Sequence, residues 1–315
     1  MKMKTSKFLA MGMLATVFLS SCSNDEEAVR PGAPDAIQVS AGISLPTRAV
    51  IDAGHTGELN ISFARLDAPD SGSDWTAINA VRAGGAGHTG VTFGSKQTYS
   101  DANGESVLIG YHPQSALATD SDPATVIYTI TGDEDIMATE TQTGATDNPF
   151  IPFTFRHLLT QVQFRCVGSA EAIAKWTAVS SIKVKNVATA LTLSLDKTDG
   201  ATLAAGNADQ ELDVINCPTA VTLPAAPDPV TGYLMIYPVQ DMGTASAAIE
   251  LEVKATFSTV EKTVDVSIDN ITGGVKAGES HLITLTFTDD GEISVEAGIA
   301  AWTPGNGGSS EIIPQ

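Results

Sequence analysis

The stretch Ile249-Glu250-Leu251-Glu252-Val253-Lys254-Ala255-Thr256-Phe257 alternates apolar and polar side chains throughout. Successive side chains of a β-strand point to opposite faces of its sheet, so this alternation predicts a strand with one buried face. The same period recurs in these apolar sets: Ile37, Val39, Ala41, Ile43 and Leu45; Val162, Phe164 and Cys166; Leu191, Leu193 and Leu195; Val264, Val266 and Ile268; Ile283, Leu285 and Phe287. Short helical structure is predicted chiefly around residues 170–177, so the sequence predicts an all-β protein.

Turn-forming clusters such as Asp70-Ser71-Gly72-Ser73-Asp74 and Gly273-Gly274 separate the predicted strands. The chain of 315 residues is longer than a typical single sandwich. Residues 141–151 are polar and rich in turn formers, which marks a boundary between domains. We therefore predict two tandem antiparallel β-sandwich domains with few short helices, an N-terminal one over residues 49–149 and a C-terminal one over residues 150–315.

Residues 1–21 have the pattern of a lipoprotein signal peptide. The basic stretch Lys2–Lys7 precedes an apolar run, Phe8–Leu19, that is too short to span a bilayer. The following Ser20-Ser21-Cys22 completes a lipobox pattern, so Cys22 is the predicted lipidation site. Acyl chains there, such as palmitate, would anchor the protein in a membrane. Residues 22–48 are predicted to form an acidic tether followed by a leader strand.

The charge balance excludes some partners. The chain carries 17 basic and 37 acidic residues, a net charge of -20, spread along its length. Such a surface repels nucleic acid, so no nucleic-acid partner is expected. After Cys22, only Cys166 and Cys217 remain, and the sequence leaves open whether they form a disulfide or are two buried thiols.

No constellation of residues indicates catalysis. The sequence contains no nucleophile elbow, phosphate loop or dinucleotide fingerprint, and its histidines lack metal-ligand spacing. We therefore expect no enzyme activity, no cofactor and no metal site. His157 and His281 are predicted to be hydrogen-bonded structural residues, and Asp133 and Asp135 to lie in a solvated loop. Five aromatic residues are interpreted as core residues rather than as a glycan-binding platform: Trp75, Tyr99, Tyr111, Tyr128 and Trp176.

Several stretches together resemble the fimbrillin family, the type V pilins of Bacteroidota. They are Val107-Leu108-Ile109-Gly110-Tyr111-His112-Pro113, Asp135-Ile136-Met137-Ala138, Phe153-Thr154-Phe155-Arg156-His157-Leu158-Leu159-Thr160-Gln161-Val162, Ala277-Gly278-Glu279-Ser280-His281-Leu282-Ile283-Thr284-Leu285 and Ile299-Ala300-Ala301-Trp302. The resemblance covers almost the entire chain. It implies transthyretin-like sandwiches and a lipoprotein exposed on the cell outer membrane that becomes part of a fimbria and contributes to cell adhesion.

The resemblance also implies proteolytic maturation. An arginine-specific protease would cleave between Arg48 and Ala49, after a segment that Pro46 favours as exposed. Cleavage would remove the lipid anchor together with the leader strand, whose apolar residues are Ile37, Val39, Ala41, Ile43 and Leu45.

Loss of a paired leader strand would leave an unpaired sheet edge and an apolar groove, which is a template for another strand. The candidate donor is the C-terminal strand with apolar residues Ile293, Val295, Ala297, Ile299 and Trp302. The sequence thus predicts a pilus subunit that polymerises by donor-strand exchange with other copies of itself or related pilins. The alternative is an anchored tip or anchor subunit, or a surface lipoprotein that binds a host glycan or protein, and does not polymerise.

Overall fold

The computed structural model describes residues 36–44, 55–69, 72–100, 104–225 and 232–299. The strands of these ranges are β1 (Ser40–Ile43), β2 (Leu59–Asp67), β3 (Thr76–Arg82), β4 (Thr89–Phe93), β5 (Ser106–His112), β6 (Ala124–Thr129), β7 (Met137–Ala138), β8 (Gln142–Gly144), β9 (Phe153–His157), β10 (Thr160–Gly168), β11 (Trp176–Val187), β12 (Ala190–Asp196), β13 (Gly200–Ala205), β14 (Gln210–Asp213), β15 (Gly232–Ile236), β16 (Thr244–Phe257), β17 (Val260–Asn270), β18 (Ser280–Phe287) and β19 (Ile293–Ile299). One helix lies among them, α1 (Ala170–Lys175), and the Oγ of Ser169 caps it by accepting from the Ala172 N–H. The all-β prediction is confirmed.

The first part of the fold is a closed barrel. Strands β2, β3, β4, β1, β9, β7 and β5 pair in that order, and β2 also pairs with β5, so the ring is complete. The barrel is filled by apolar side chains around Phe63, whose ring lies 5.1 Å from that of Phe153 in an edge-to-face arrangement. The predicted antiparallel sandwich is not confirmed here, because the β2–β5 pair closes seven strands into a ring and β1 runs parallel to β9.

One wall of the barrel is buried on both faces. In β2, Ile61 and Phe63 point into the barrel, whereas Ala64 and Leu66 point into a second apolar cluster outside it. A three-stranded sheet, β13-β12-β6, covers that cluster. Strands β6 and β12 lie on opposite sides of the predicted boundary at residue 149, yet they pair with each other. The division into domains 49–149 and 150–315 stays a prediction, and strand pairing crosses it.

The last part of the fold is a sandwich of two four-stranded sheets, ordered β15-β10-β18-β19 and β14-β11-β16-β17. Its core is formed by the alternating apolar residues that the sequence singles out, including Phe164 on β10 and Leu251 on β16. The sandwich is not purely antiparallel, because β10 and β18 run parallel over Gln161–Gly168.

The chain passes from barrel to sandwich through two residues, Leu158 and Leu159, which separate β9 from β10. At this junction the Nδ1 of His157 donates to the Asp135 carboxylate at 2.9 Å, and both side chains are buried. The structural interpretation of His157 is therefore confirmed. The solvated-loop prediction is wrong for Asp135, because its side chain is buried and its carboxylate accepts a hydrogen bond from His157.

Candidate assembly site

The described part of the predicted leader strand lies inside the barrel wall. The side chains of Ile37, Val39, Ala41 and Ile43 are all buried among the aromatic residues of the barrel interior. Strand β1 itself spans Ser40–Ile43. It occupies a slot between β4, its antiparallel neighbour, and β9, its parallel neighbour.

Main-chain hydrogen bonds hold this segment from both sides of the slot. They include Ile37 N–H to Gln97 O at 3.0 Å, Val91 N–H to Val39 O at 3.0 Å and Ser44 N–H to Phe155 O at 2.8 Å. Removing the segment therefore breaks ladder bonds along two strand edges and exposes a groove lined by aromatic rings.

Arg82, at the end of β3, is a site residue that sequence reasoning missed. Its side chain is fully buried, and its Nε donates to the Ala41 carbonyl of β1 at 2.9 Å. Its other nitrogens donate to the carbonyls of Ala83, Gly85 and Gly87 at 2.7 to 3.2 Å. Burial lowers the pKa of the guanidinium, and these carbonyl oxygens replace the lost water. A signal was present in the sequence: the glycine-rich stretch Gly84-Gly85-Ala86-Gly87, which lets the backbone fold back on the arginine.

The outer face of β1 is covered at Gly42, which is paired with Thr154 of β9. The imidazole ring of His88 lies over Gly42, and its Nε2 is 3.1 Å from the Thr154 Oγ1. The slot is thus bounded by aromatic rings inside the barrel and by His88 outside it.

The predicted donor strand lies in the sandwich. Strand β19 pairs antiparallel with β18 from Ile293 opposite Phe287 to Ile299 opposite His281. Among the described residues no strand bonds to its other side, so it is an edge strand. Ile293, Val295 and Ala297 are half-buried against the sandwich core. The donor segment is therefore already paired within its own sheet.

Five of the predicted site residues lie outside the described residues: Cys22, Leu45, Arg48, Ala49 and Trp302. The site that can be described is the slot of β1 together with the C-terminal edge strand.

The other candidate groups are parts of the core. The five aromatic residues considered as a glycan platform are all buried: Trp75, Tyr99, Tyr111, Tyr128 and Trp176.

Within the described ranges, no group of three or more His, Cys, Asp or Glu side chains is placed to hold a metal ion. No helix in these ranges has the length and apolar composition to cross a membrane. Cys166 and Cys217 are free thiols, and burial raises the pKa of both.

Comparison with curated proteins identifies a relative of nearly equal length. It is 25% identical over 312 residues, which cover 95% of this chain and 96% of the relative. Its name is "Putative fimbrium subunit Fim1C", and its source is Bacteroides uniformis.

Solved structures share the fold. A crystal structure of a "putative cell adhesion protein" from Bacteroides uniformis has a TM-score of 0.56 and 17% identity, over 86% of this chain and 100% of that one. A second, from Bacteroides ovatus, has a TM-score of 0.54 and 18% identity, over 85% of this chain and 98% of that one. The fimbrillin-like family profile matches residues 47–302, from just before Arg48 to Trp302. The chain therefore belongs to the fimbrillin-like family.

Proposed function

We propose that this protein is a fimbrium subunit that reaches the cell surface as a lipoprotein anchored at Cys22. A protease then cleaves it after Arg48, which removes β1 with the anchor, and the emptied slot accepts a C-terminal strand from another subunit. Family membership and the name of the 25%-identical relative support the fimbrial role. The observation that carries the mechanism is the position of β1 between two hydrogen-bonded neighbours in a closed barrel.

The energetics of the slot support exchange. Three large aliphatic side chains, Ile37, Val39 and Ile43, are buried there. At about 1.5 to 3 kcal/mol each, their removal leaves a groove with an unmet burial energy of roughly 5 to 9 kcal/mol. A strand of matching pattern recovers much of this energy, minus the cost of ordering it. A closed barrel that has lost one strand is thus a strong acceptor.

The energetics of β19 support its role as donor. Among the described residues, β19 is paired with a strand on one side only, and its inward-facing residues Ile293, Val295 and Ala297 are only half-buried. Transfer into the slot would give it bonds on both sides and fuller burial. The same segment therefore has more to gain in a neighbouring barrel than it loses in its own sandwich.

The second candidate function is that of an anchored adhesin that does not polymerise. One observation favours it: β19 pairs in full register with β18 of its own sheet, as a permanent edge strand would. In that case the leader stays in place, and the protein remains attached through Cys22 as a tip or anchor subunit.

The two candidates differ in a simple experiment. Lipid-free protein is incubated with an arginine-specific protease and then separated by electrophoresis without heating, with N-terminal sequencing of each band. A ladder of oligomers whose chains begin at Ala49 is the expected result. Monomers only, with Ala49 exposed as the new N-terminus, would overturn polymerisation. Surface material that retains a lipidated Cys22 and runs as one band would favour the anchored adhesin.

A further inference from the structure

The leader segment and the C-terminal edge strand have nearly the same sequence. Residues 37–43 read Ile-Gln-Val-Ser-Ala-Gly-Ile, and residues 293–299 read Ile-Ser-Val-Glu-Ala-Gly-Ile. The two segments differ only at Gln38 against Ser294 and at Ser40 against Glu296, which are the outward-facing polar positions. Alternating aliphatic residues are expected of any strand, but Ala followed by Gly is not, since both have low strand propensity. The shared Ala-Gly pair therefore needs a separate reason.

The reason for glycine is clear in the slot. A Cβ added to Gly42 would lie 3.0 to 3.2 Å from three atoms of the His88 ring. The ring would have to shift, and its contact with the Thr154 Oγ1 at 3.1 Å would be strained. The slot therefore favours a residue without a side chain at this position.

The sandwich gives no such reason at Gly298. Among the described residues, no atom lies within 4 Å of a Cβ added there, and Gly298 is not one of the described glycines with positive φ. Any residue can occupy this exposed edge position, and glycine weakens a strand interior. The described surroundings of Gly298 therefore give no packing reason for glycine.

The preceding alanine shows the same contrast. Ala41 is fully buried in the barrel, and its carbonyl accepts from the Arg82 Nε, whereas Ala297 is half-buried in β19. A side chain larger than alanine would overpack the filled barrel at position 41. Arg82 also fixes the register, because its guanidinium is held by the loop carbonyls of Gly85 and Gly87 and offers its Nε at one point along the slot.

We propose that residues 293–299 of a second copy of this chain replace residues 37–43 one for one, with Gly298 beneath His88 and the Ala297 carbonyl on Arg82. The proposal rests on the proposed function and adds its partner and register. His88 and Arg82 are specificity-determining residues of the slot. Together they select residues 293–299 of a second copy of this chain. A strand with a side chain at the sixth position of this seven-residue segment fits less well.

The first test uses Gly298→Val in lipid-free protein trimmed with an arginine-specific protease, and the rate of oligomer formation is followed on unheated gels. No described atom lies within 4 Å of a Cβ at position 298, so the urea midpoint of the monomer should not fall. Oligomers should form about tenfold more slowly, the change expected from a modest steric clash between the valine and the His88 ring. Adding His88→Ala should restore the rate, because the ring that meets the valine is gone. Ser294→Val is the matched control, since both Ser294 and its counterpart Gln38 are exposed.

The second test reads the register directly. Ser40 lies opposite Gly90 of β4, so Glu296 of the incoming strand should lie opposite Gly90. Glu296→Cys and Gly90→Cys, introduced into separate chains with Cys217→Ser, should form an intermolecular disulfide, because cross-strand Cα atoms lie within disulfide reach. Ser294→Cys, combined with Gly90→Cys in the other chain, should not form this disulfide, because position 294 lies two residues along the strand from position 296.

The outcomes separate the two proposals. Oligomers that form with an unchanged rate in Gly298→Val, or that cross-link at position 294 rather than 296, would overturn the register while leaving strand exchange intact. Failure of His88→Ala to restore a slowed Gly298→Val rate would remove His88 from the recognition. Parent protein that is trimmed at Arg48 and stays monomeric would overturn both.

Discussion

The barrel and the sandwich treat two similar strands in opposite ways. In the barrel, β1 is bonded on both sides and its apolar residues are buried. In the sandwich, within the part of the chain that the structure describes, β19 is paired with a strand on one side only, and its inward-facing residues are half-buried. Residues 37–43 and 293–299 are nearly identical in sequence, so this difference comes from the surroundings and not from the strand. A strand contributes to stability in proportion to the neighbours that the fold places around it.

The largest expected effect comes from deleting each strand in turn. A chain that starts at Ala49 and is kept dilute enough to stay monomeric should lose roughly 5 to 9 kcal/mol of stability, because the buried side chains of β1 are gone. A chain that ends at Glu292 should lose about 2 to 4 kcal/mol, because the side chains of β19 are only half-buried. Urea unfolding measures both values. Equal losses would show that the two strands are equivalent and would break the comparison.

Arg82→Met tests whether the barrel needs its buried arginine. The substitution keeps the volume but leaves the carbonyls of Ala41, Gly85 and Gly87 without their donor, so stability should fall by about 2 to 4 kcal/mol. Arg156→Met is the control in the same barrel: Arg156 is exposed and pairs with Glu140 at the surface, so its loss should cost less than about 1 kcal/mol. Similar urea midpoints for the two variants would mean that Arg82 does not hold the slot.

Matched truncations at equivalent positions of residues 37–43 and 293–299 test the contrast between barrel and sandwich for a single side chain. Val39→Ala removes two buried methyl groups and should cost about 1 to 2.5 kcal/mol, whereas Val295→Ala should cost less than about 1 kcal/mol. Both variants carry the same chemical change at the third position of their seven-residue segments. The difference between their losses of stability therefore reports the difference in environment. Chemical denaturation is the measurement, and a larger loss at Val295 would reverse our conclusion.

A pH dependence is the smallest expected effect, and it is placed at the β18–β19 pair. Burial lowers the pKa of His281, which lies opposite Ile299 and 3.6 Å from the Glu279 carboxylate. As the pH falls below the ordinary histidine pKa of about 6.5, the unfolded chain binds a proton that the folded chain resists, so stability falls by up to about 1.4 kcal/mol per pH unit. His281→Phe should flatten this slope between about pH 6.5 and 5.

The barrel offers an internal control for the acid effect. Burial also lowers the pKa of His112 at the end of β5, so some slope should remain in His281→Phe. Hydrogen exchange at pH 7.5 and pH 5.5, read separately for the barrel and for β18–β19, distinguishes the two contributions. An unchanged slope in His281→Phe would assign the whole acid effect elsewhere.

Periodicity predicted the elements well but not their closure. The strands around Phe164, Leu193, Leu251, Val266 and Leu285 all follow the alternation in the sequence, because alternation is a local consequence of one buried face. The closing of the barrel depends on β1 meeting β9 and β2 meeting β5, which are far apart in the chain. Local patterns carry no information on such pairings.

The site was predictable in part. The apolar pattern of residues 37–45 points to a buried strand, and the structure buries its members from Ile37 to Ile43. Arg82 is not marked by any apolar pattern, since a charged residue at a strand end normally indicates solvent. Its burial depends on carbonyls that the Gly84–Gly87 turn directs inward. The polar segment 141–151 suggested a domain boundary, but β9 follows it and returns to the barrel because it pairs with β1 and β7.

The two-residue step from β9 to β10 gives the subunit a mechanical continuity. A strand bound in the slot would run parallel to β9, which leads through Leu158 and Leu159 into β10, itself paired with β18. Tension applied to the N-terminal end of that strand would be opposed at the C-terminal end of β9. The hydrogen bonds between them lie across the direction of pull and share the load. A fibre built in this way would resist stretching by shear along its strands, with only two residues connecting barrel and sandwich.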